Sequence, residues 1–141
     1  MKIIIINGPN LNLLGKREPD IYGSHTFEDF FRDLKVKYSS IELTHYQSNI
    51  EGELVDKLQE VGFSYDGIIL NAAAYTHTSV AISDAVAAIS TPVVEVHISN
   101  IHAREEYRHL SLITAHCVGM LSGFGLPGYQ MALDYLITNK S

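Results

Sequence analysis

Arg17 stands five residues before Tyr22, Glu95 stands two before His97, and asparagines occupy positions 10 and 71. Together these side chains suit an elimination. A tyrosine of ordinary pKa near ~10 is ionised in only about one molecule in a thousand at pH 7, which makes it a poor base. A neighbouring guanidinium favours the anion and lowers that pKa by ~1–3 units, so tyrosinate becomes accessible for removing a proton α to a carbonyl. Arg17, on the same loop, is the candidate source of that charge. His97, with an ordinary pKa near ~6.5, suits protonation of a departing hydroxyl, and Glu95, on the same face of an extended strand, is placed to orient it. Asn10 and Asn71 add carboxamides that bind hydroxyls; a base, an acid and such amides describe a dehydratase. Tyr75, His77, Ser99, His102, Arg104 and Arg108 fall near the same points of the chain, the arginines suited to an anion. Each has an ordinary structural reading by itself: a core-edge tyrosine, a solvated arginine, a capping histidine. Their convergence is what points to a site.

The elements that must bring them together can be read from periodicity. Lys2 to Gly23 reads KIIIINGPNLNLLGKREPDIYG. Four isoleucines in a row suit a strand buried on both faces, and the run stops in Asn7-Gly8-Pro9-Asn10. The long loop after it carries Asn10, Asn12, Lys16, Arg17, Glu18 and Tyr22, with Gly15 and Gly23 as candidate lid hinges. Ser24 or Thr26 caps a helix carrying Phe27, Phe30, Phe31 and Leu34 at helical spacing, a core stripe. Ile41 to Tyr46 alternates as a half-buried strand near the sheet edge. Ser48 or Asn49 opens a second helix with Leu54, Leu58 and Val61 on one face and Gly62 as its stop. Gly67 to Asn71 is a third strand, Thr78 to Ile89 a helix, Pro92 to His97 a fourth strand, and Cys117 to Leu121 a fifth before a last helix from about Gly125 to Thr138. Strands alternating with helices indicate an α/β fold with a parallel sheet and right-handed crossovers. The flavodoxin-like, doubly wound order 2-1-3-4-5 is the simplest for this length and sets the carboxyl ends of strands one, three and four side by side.

With 141 residues and 46% hydrophobic side chains, the chain fits a single domain spanning 1–141. A net charge of -6 and few clustered Lys or Arg argue against nucleic acid. One cysteine, Cys117, excludes an internal disulfide framework and indicates a reducing compartment; its apolar neighbours suggest a buried strand thiol. No apolar run approaches a membrane span, so the expectation is a soluble, cytoplasmic protein. Gly123 to Gly128 matches G-x-G-x-x-G, but no further strand with an acidic residue can follow before Ser141, so the match reads as a tight turn. A receiver domain would need an acidic cluster after strand one and an aspartate ending strand three, where this chain has Asn7-Gly8 and Asn71. A flavin carrier would need a Ser/Thr-rich first loop. The seven histidines form no H-E-x-x-H, and Lys16, in a charged loop, is a poor Schiff-base lysine. A binding module of flavodoxin-like fold without catalysis, for a small molecule or phosphate, is the alternative to the enzyme reading.

GPNLNLLGKREPDIYG, AAYTHTSVAISDA, EVHISNIHAREEYRH and GFGLPGY, in that order across nearly the whole chain, resemble type II 3-dehydroquinate dehydratase. The resemblance implies a flavodoxin-like enzyme that converts 3-dehydroquinate to 3-dehydroshikimate, in the shikimate pathway, by anti elimination through an enolate, with no metal or organic cofactor. It implies Tyr22 as the base with Arg17 beside it, Asn10 holding a water that stabilises the enolate, and His97 as the acid supported by Glu95. It also implies that substrate hydroxyls meet Asn71, His77 and Arg108, and that the substrate carboxylate sits on the backbone amides of Ile98 and Ser99 and the Ser99 hydroxyl. Asp84 would reach a neighbouring subunit's site in a homo-oligomer, a dodecamer of trimers. The family commonly carries Pro-Gly or a similar pair after the strand-three asparagine. Here Ala72-Ala73 follow, and alanine fits if the backbone there has negative φ. Leu110 stands where many relatives have a second histidine.

Overall fold

A computed structural model describes residues 1–16 and 26–140. Among them the order is β1 (Lys2–Asn7), α1 (Phe27–Lys37), β2 (Glu42–Gln47), α2 (Glu51–Val61), β3 (Gly67–Asn71), α3 (Val80–Ala88), β4 (Val93–His97), β5 (Gly119–Ser122) and α4 (Pro127–Thr138). The five strands pair in parallel in the order β2-β1-β3-β4-β5, with Asn7 opposite both Gln47 and Asn71.

The isoleucine run of β1 explains why helices cover both faces. Successive side chains leave opposite sides of a strand, so Ile3 and Ile5 pack with Phe27 and Leu34 of α1 and Tyr129, Ala132, Leu133 and Leu136 of α4. Ile4 and Ile6 pack on the other side with Leu54, Leu58 and Val61 of α2 and Ile82 and Val86 of α3. Each such buried aliphatic chain contributes roughly 1.5–3 kcal/mol of transfer free energy. No helix among the described residues is long and apolar enough to cross a membrane.

Element ends depart from the sequence pattern where side chains intervene. Thr26 does cap α1, its hydroxyl accepting from Asp29 N at 3.2 Å. α2 begins one residue later than expected: Ile50 is its N-cap, and Ser48 Oγ serves from outside by accepting from Ile50 N at 2.9 Å. α3 is shorter than 78–89 because Ser79 takes the cap position, accepting from Ile82 N at 2.9 Å. Pro127 opens α4, two residues inside the expected start. Cys117 is not on a strand; it ends the turn Thr114–His116, and its thiol donates to the Ile113 carbonyl at 3.3 Å. Burial and the nearby Glu95 charge push that thiol up to about 12, so it is protonated at neutral pH. The G-x-G-x-x-G stretch is the β5–α4 turn: Gly123 and Gly125 have φ of 95° and 69°, and their N–H groups brace the His97 and Ile98 carbonyls at 3.2 and 3.0 Å.

Candidate active site

A cleft opens beyond the carboxyl ends of β1, β3 and β4, lined by Asn10, Asn71, His77, His97, Ile98, Ser99, Arg104 and Arg108 among apolar Leu11, Leu14, Ala73 and Ile101. Three strands ending at one level carry these groups to one place. The first loop is anchored there because Leu11 and Leu14 turn inward as core residues. Asn10 precedes the turn Leu11–Leu13 with φ 70°, a conformation asparagine tolerates, and its N–H donates to Asn49 Oδ1 at 3.0 Å.

Glu95 and His97 project from the same face of β4, and Glu95 Oε2 is hydrogen-bonded to His97 Nε2. Glu95 is 0% exposed. Burial by itself would push its carboxyl up, but hydrogen bonds from His97, Thr114 and Ser111 and the His97 charge outweigh this and hold it below the usual carboxylate range. Ser111 Oγ donates from 2.8 Å and Thr114 Oγ1 occupies the other oxygen. A charged carboxylate accepting from Nε2 leaves Nδ1 as the imidazole's second proton site.

Around this pair the other polar groups are oriented by the backbone. His77 Nδ1 donates to the Leu110 carbonyl at 2.9 Å, which makes Nε2 the acceptor of a neutral ring. Burial holds its pKa below the ordinary 6.5, aided by His97 and Arg108 and opposed by the Leu110 bond. The His77 and His97 rings stack with centroids 6.3 Å apart. Arg108 Nε donates to Glu105 Oε1 at 3.0 Å, and Arg104 Nη1 donates to Ser99 Oγ at 3.3 Å. Asn71, 3% exposed, accepts from Ala73 N at 3.1 Å through Oδ1 and donates through Nδ2 to the Tyr129 hydroxyl at 2.9 Å.

Ala73 departs from expectation. Its φ is 52°, in the left-handed region, not negative. The Asn71 side chain captures its N–H and the strand must turn at once into the helical turn Ala73–His77, so alanine takes a conformation that glycine would adopt without strain.

The cleft therefore unites Asn10, Asn71, His77, His97, Ile98, Ser99 and Arg108, with Glu95 directly behind His97. Asp84 lies elsewhere, exposed on α3. Arg17 and Tyr22 lie outside the described residues, as does Gly23. Tyr75 and His102 do not line the cleft: the Tyr75 hydroxyl donates to the Asn49 carbonyl at 2.8 Å, and His102 packs on His109 with ring centroids 5.6 Å apart. Sequence reading missed Ser111 and Thr114, which hold Glu95, and Asn7 and Tyr129, which lie beneath Asn71. Ser111 and Thr114 sit in a polar stretch with no regular period, so nothing local marks them. Among the described residues no cluster of His, Cys, Asp and Glu could hold a metal ion.

The model of the family described as dehydroquinase class II matches residues 1–137. A 3-dehydroquinate dehydratase of Exiguobacterium sp. is 54% identical over 138 residues, covering 97% of this chain and 94% of that one. The crystal structure of a type II dehydroquinase from Butyrivibrio crossotus superposes with a TM-score of 0.93 at 50% identity, covering 97% of both chains. That from Propionibacterium acnes gives 0.91 at 38% identity, over 98% of this chain and 97% of the other.

Proposed function

The chain belongs to the class II dehydroquinase family, whose enzymes are hydro-lyases, and from that premise we propose that it converts 3-dehydroquinate to 3-dehydroshikimate by anti elimination of water through an enolate. The observation that carries this reading is the buried Glu95–His97 pair opening on a cleft of carboxamides and arginines.

In the proposed sequence, Tyr22, as tyrosinate favoured by Arg17, takes the C2 proton. The C2–H electron pair moves toward the carbonyl carbon and charge collects on the carbonyl oxygen. A water held by Asn10 donates to that oxygen, an interaction of order ~3–4 kcal/mol per donor in comparable oxyanion sites. The enolate then collapses to the conjugated enone, the C1–O bond breaks, and the His97 imidazolium gives its Nδ1 proton to the leaving oxygen, releasing water. Glu95 stabilises the imidazolium and keeps the ring turned toward the cleft. Asn71, His77 Nε2 and Arg108 take substrate hydroxyls, and Ser99 with the Ile98 and Ser99 amides takes the carboxylate. Base, acid and charge stabilisation all come from side chains and one water, so the reading calls for no metal or organic cofactor.

Asp84, on the outer surface of α3, has no place in its own chain's cleft, which supports a role at a neighbouring subunit's site in a homo-oligomer, a dodecamer of trimers. Dissociated subunits would then bind substrate poorly; a fully active monomer in sedimentation-coupled assays would remove that role. The proposed activity itself is tested by mixing purified protein with 3-dehydroquinate and following enone absorbance. Steady growth is expected, also after chelation, and no growth would overturn the reading.

A further inference from the structure

A backbone N–H can only donate, so the Asn71 atom 3.1 Å from Ala73 N is the carboxamide oxygen. That sets the orientation of the whole amide. Nδ2 is then the atom 2.9 Å from the Tyr129 hydroxyl, and the hydroxyl oxygen accepts there. Its one proton goes to Asn7 Oδ1, 2.7 Å away, which turns Asn7 Nδ2 toward His45 Nε2 at 3.3 Å. Because Asn7 Nδ2 is a donor, Nε2 must be the unprotonated nitrogen of a neutral imidazole. The surroundings agree: the His45 ring lies 4.4 Å from Phe27 and 5.5 Å from Phe31, centroid to centroid, and burial lowers its pKa against the pull of Glu28.

We propose that this run of hydrogen bonds from His45 through Asn7 and Tyr129 is a positioning device for Asn71, holding its carboxamide so that the second Nδ2 hydrogen meets the substrate as a donor. The inference rests on the reading that a substrate hydroxyl contacts Asn71. Tyr129 is fully buried, and its ring fills the core between β1, β3 and α1 as phenylalanine would. Its hydroxyl is what the core does not require. That hydroxyl joins two carboxamides that are register partners on adjacent strands, Asn7 and Asn71, and only the second borders the cleft. With Oδ1 held by Ala73 alone, the amide can pivot about a single bond; with Nδ2 held as well, its plane is set. A donor fixed in this way selects an oxygen acceptor on the ligand and disfavours a ligand donor, such as an amino group, at the same point.

The test is a double-mutant cycle in steady-state kinetics with 3-dehydroquinate, on Tyr129→Phe, Asn71→Ala and the combined variant. Tyr129→Phe is expected to raise KM about tenfold while kcat stays within about threefold, the size of one misaligned hydrogen bond. Asn71→Ala is expected to raise KM at least as much, and adding Tyr129→Phe to it should change nothing further. An unchanged KM in Tyr129→Phe, or KM effects that multiply in the combined variant, would overturn the positioning role while leaving the dehydratase reading intact. An unchanged KM in Asn71→Ala would remove the substrate contact and the positioning role together. If Tyr129→Phe does not fold, Asn7→Ala breaks the same run one bond further out and is judged against Asn71→Ala by the same criteria.

Discussion

Glu95 is charged in a place where an isolated carboxylate would take up a proton. Its charge survives because His97, Ser111 and Thr114 together supply the hydrogen bonds that water would otherwise give. With its charge so satisfied, the carboxylate holds the His97 ring through Nε2, the orientation that the proposed acid role uses. The two proposed proton carriers are separable by experiment. Tyr22→Phe should lower kcat by ~10²–10⁴ with far-ultraviolet dichroism and oligomer size unchanged, and near-normal turnover would refute the assigned base. His97→Ala should slow hydroxyl departure more than exchange of the C2 proton with solvent; equal loss of both would count against its acid role. Ala73 makes a different prediction, about strain. A left-handed alanine costs ~1–2 kcal/mol, and glycine gives back part of that through its freer unfolded chain. Ala73→Gly should therefore stabilise the fold by roughly 0.5–1 kcal/mol in urea titration, and destabilisation would show that the Cβ makes a compensating contact.

Helix ends are where side chains, not periodicity, decide. Ser79 and Thr26 cap because their hydroxyls reach N–H groups three residues on, whereas α2 starts from an isoleucine whose N–H is served by Ser48. Gly62 stops α2 for a reason other than conformational freedom. Its φ is −69°, accessible to any residue, but a Cβ there would lie 2.3 Å from Ile89 Cγ2 and 2.6 Å from the Leu58 carbonyl oxygen. The glycine lets α2 approach the residue that follows α3, and its carbonyl accepts from Ser90 N and Thr91 N at 3.0 and 2.8 Å. Gly62→Ala should accordingly cost ~1–3 kcal/mol by overpacking, read as a lower denaturation midpoint, although alanine is the better helix former. A stabilised variant would mean that Ile89 yields without loss.

Across the whole molecule, protonation links the site to stability. His45 and His77 have folded pKa values below the ordinary 6.5, mainly through burial, and Glu95 has one below 4.5, where hydrogen bonds overcome burial. In all three cases the unfolded chain binds the proton first as pH falls. Stability is therefore fully present above about pH 7, begins to fall below about 6.5 as the histidines protonate in the unfolded state, and falls again below about 4.5. The two histidines, each partly open to solvent, contribute only a fraction of the full linkage slope because water screens them. Urea midpoints at pH 8 and 5.5 should differ in that direction, and a flat profile would show that neither ring resists protonation in the fold. The acid side of this profile is also where the donor and acceptor pattern beneath Asn71 would be lost, since a protonated His45 Nε2 would face the Asn7 amide nitrogen.

Adjacent residues alone encode a strand's two faces, so the isoleucine run, the parallel α/β layering, and the shared face of Glu95 and His97 are all legible in the sequence. So is the gathering of Asn10, Asn71, His77, His97, Ser99 and Arg108: alternating strands and helices give a parallel sheet, 2-1-3-4-5 is its simplest order at this length, and that order sets the ends of strands one, three and four side by side, although Tyr75 and His102, read into the same group, lie outside the cleft. Tertiary structure alone decided the left-handed backbone of Ala73, the hydroxyls that keep Glu95 charged, and the contact of Tyr129 with Asn7 across 122 positions. The physical reason is range. Side-chain alternation and helical period are properties of neighbours along the chain. A hydrogen-bond partner on a distant helix, or a φ imposed by a captured N–H, exists only once packing has fixed what lies across the gap.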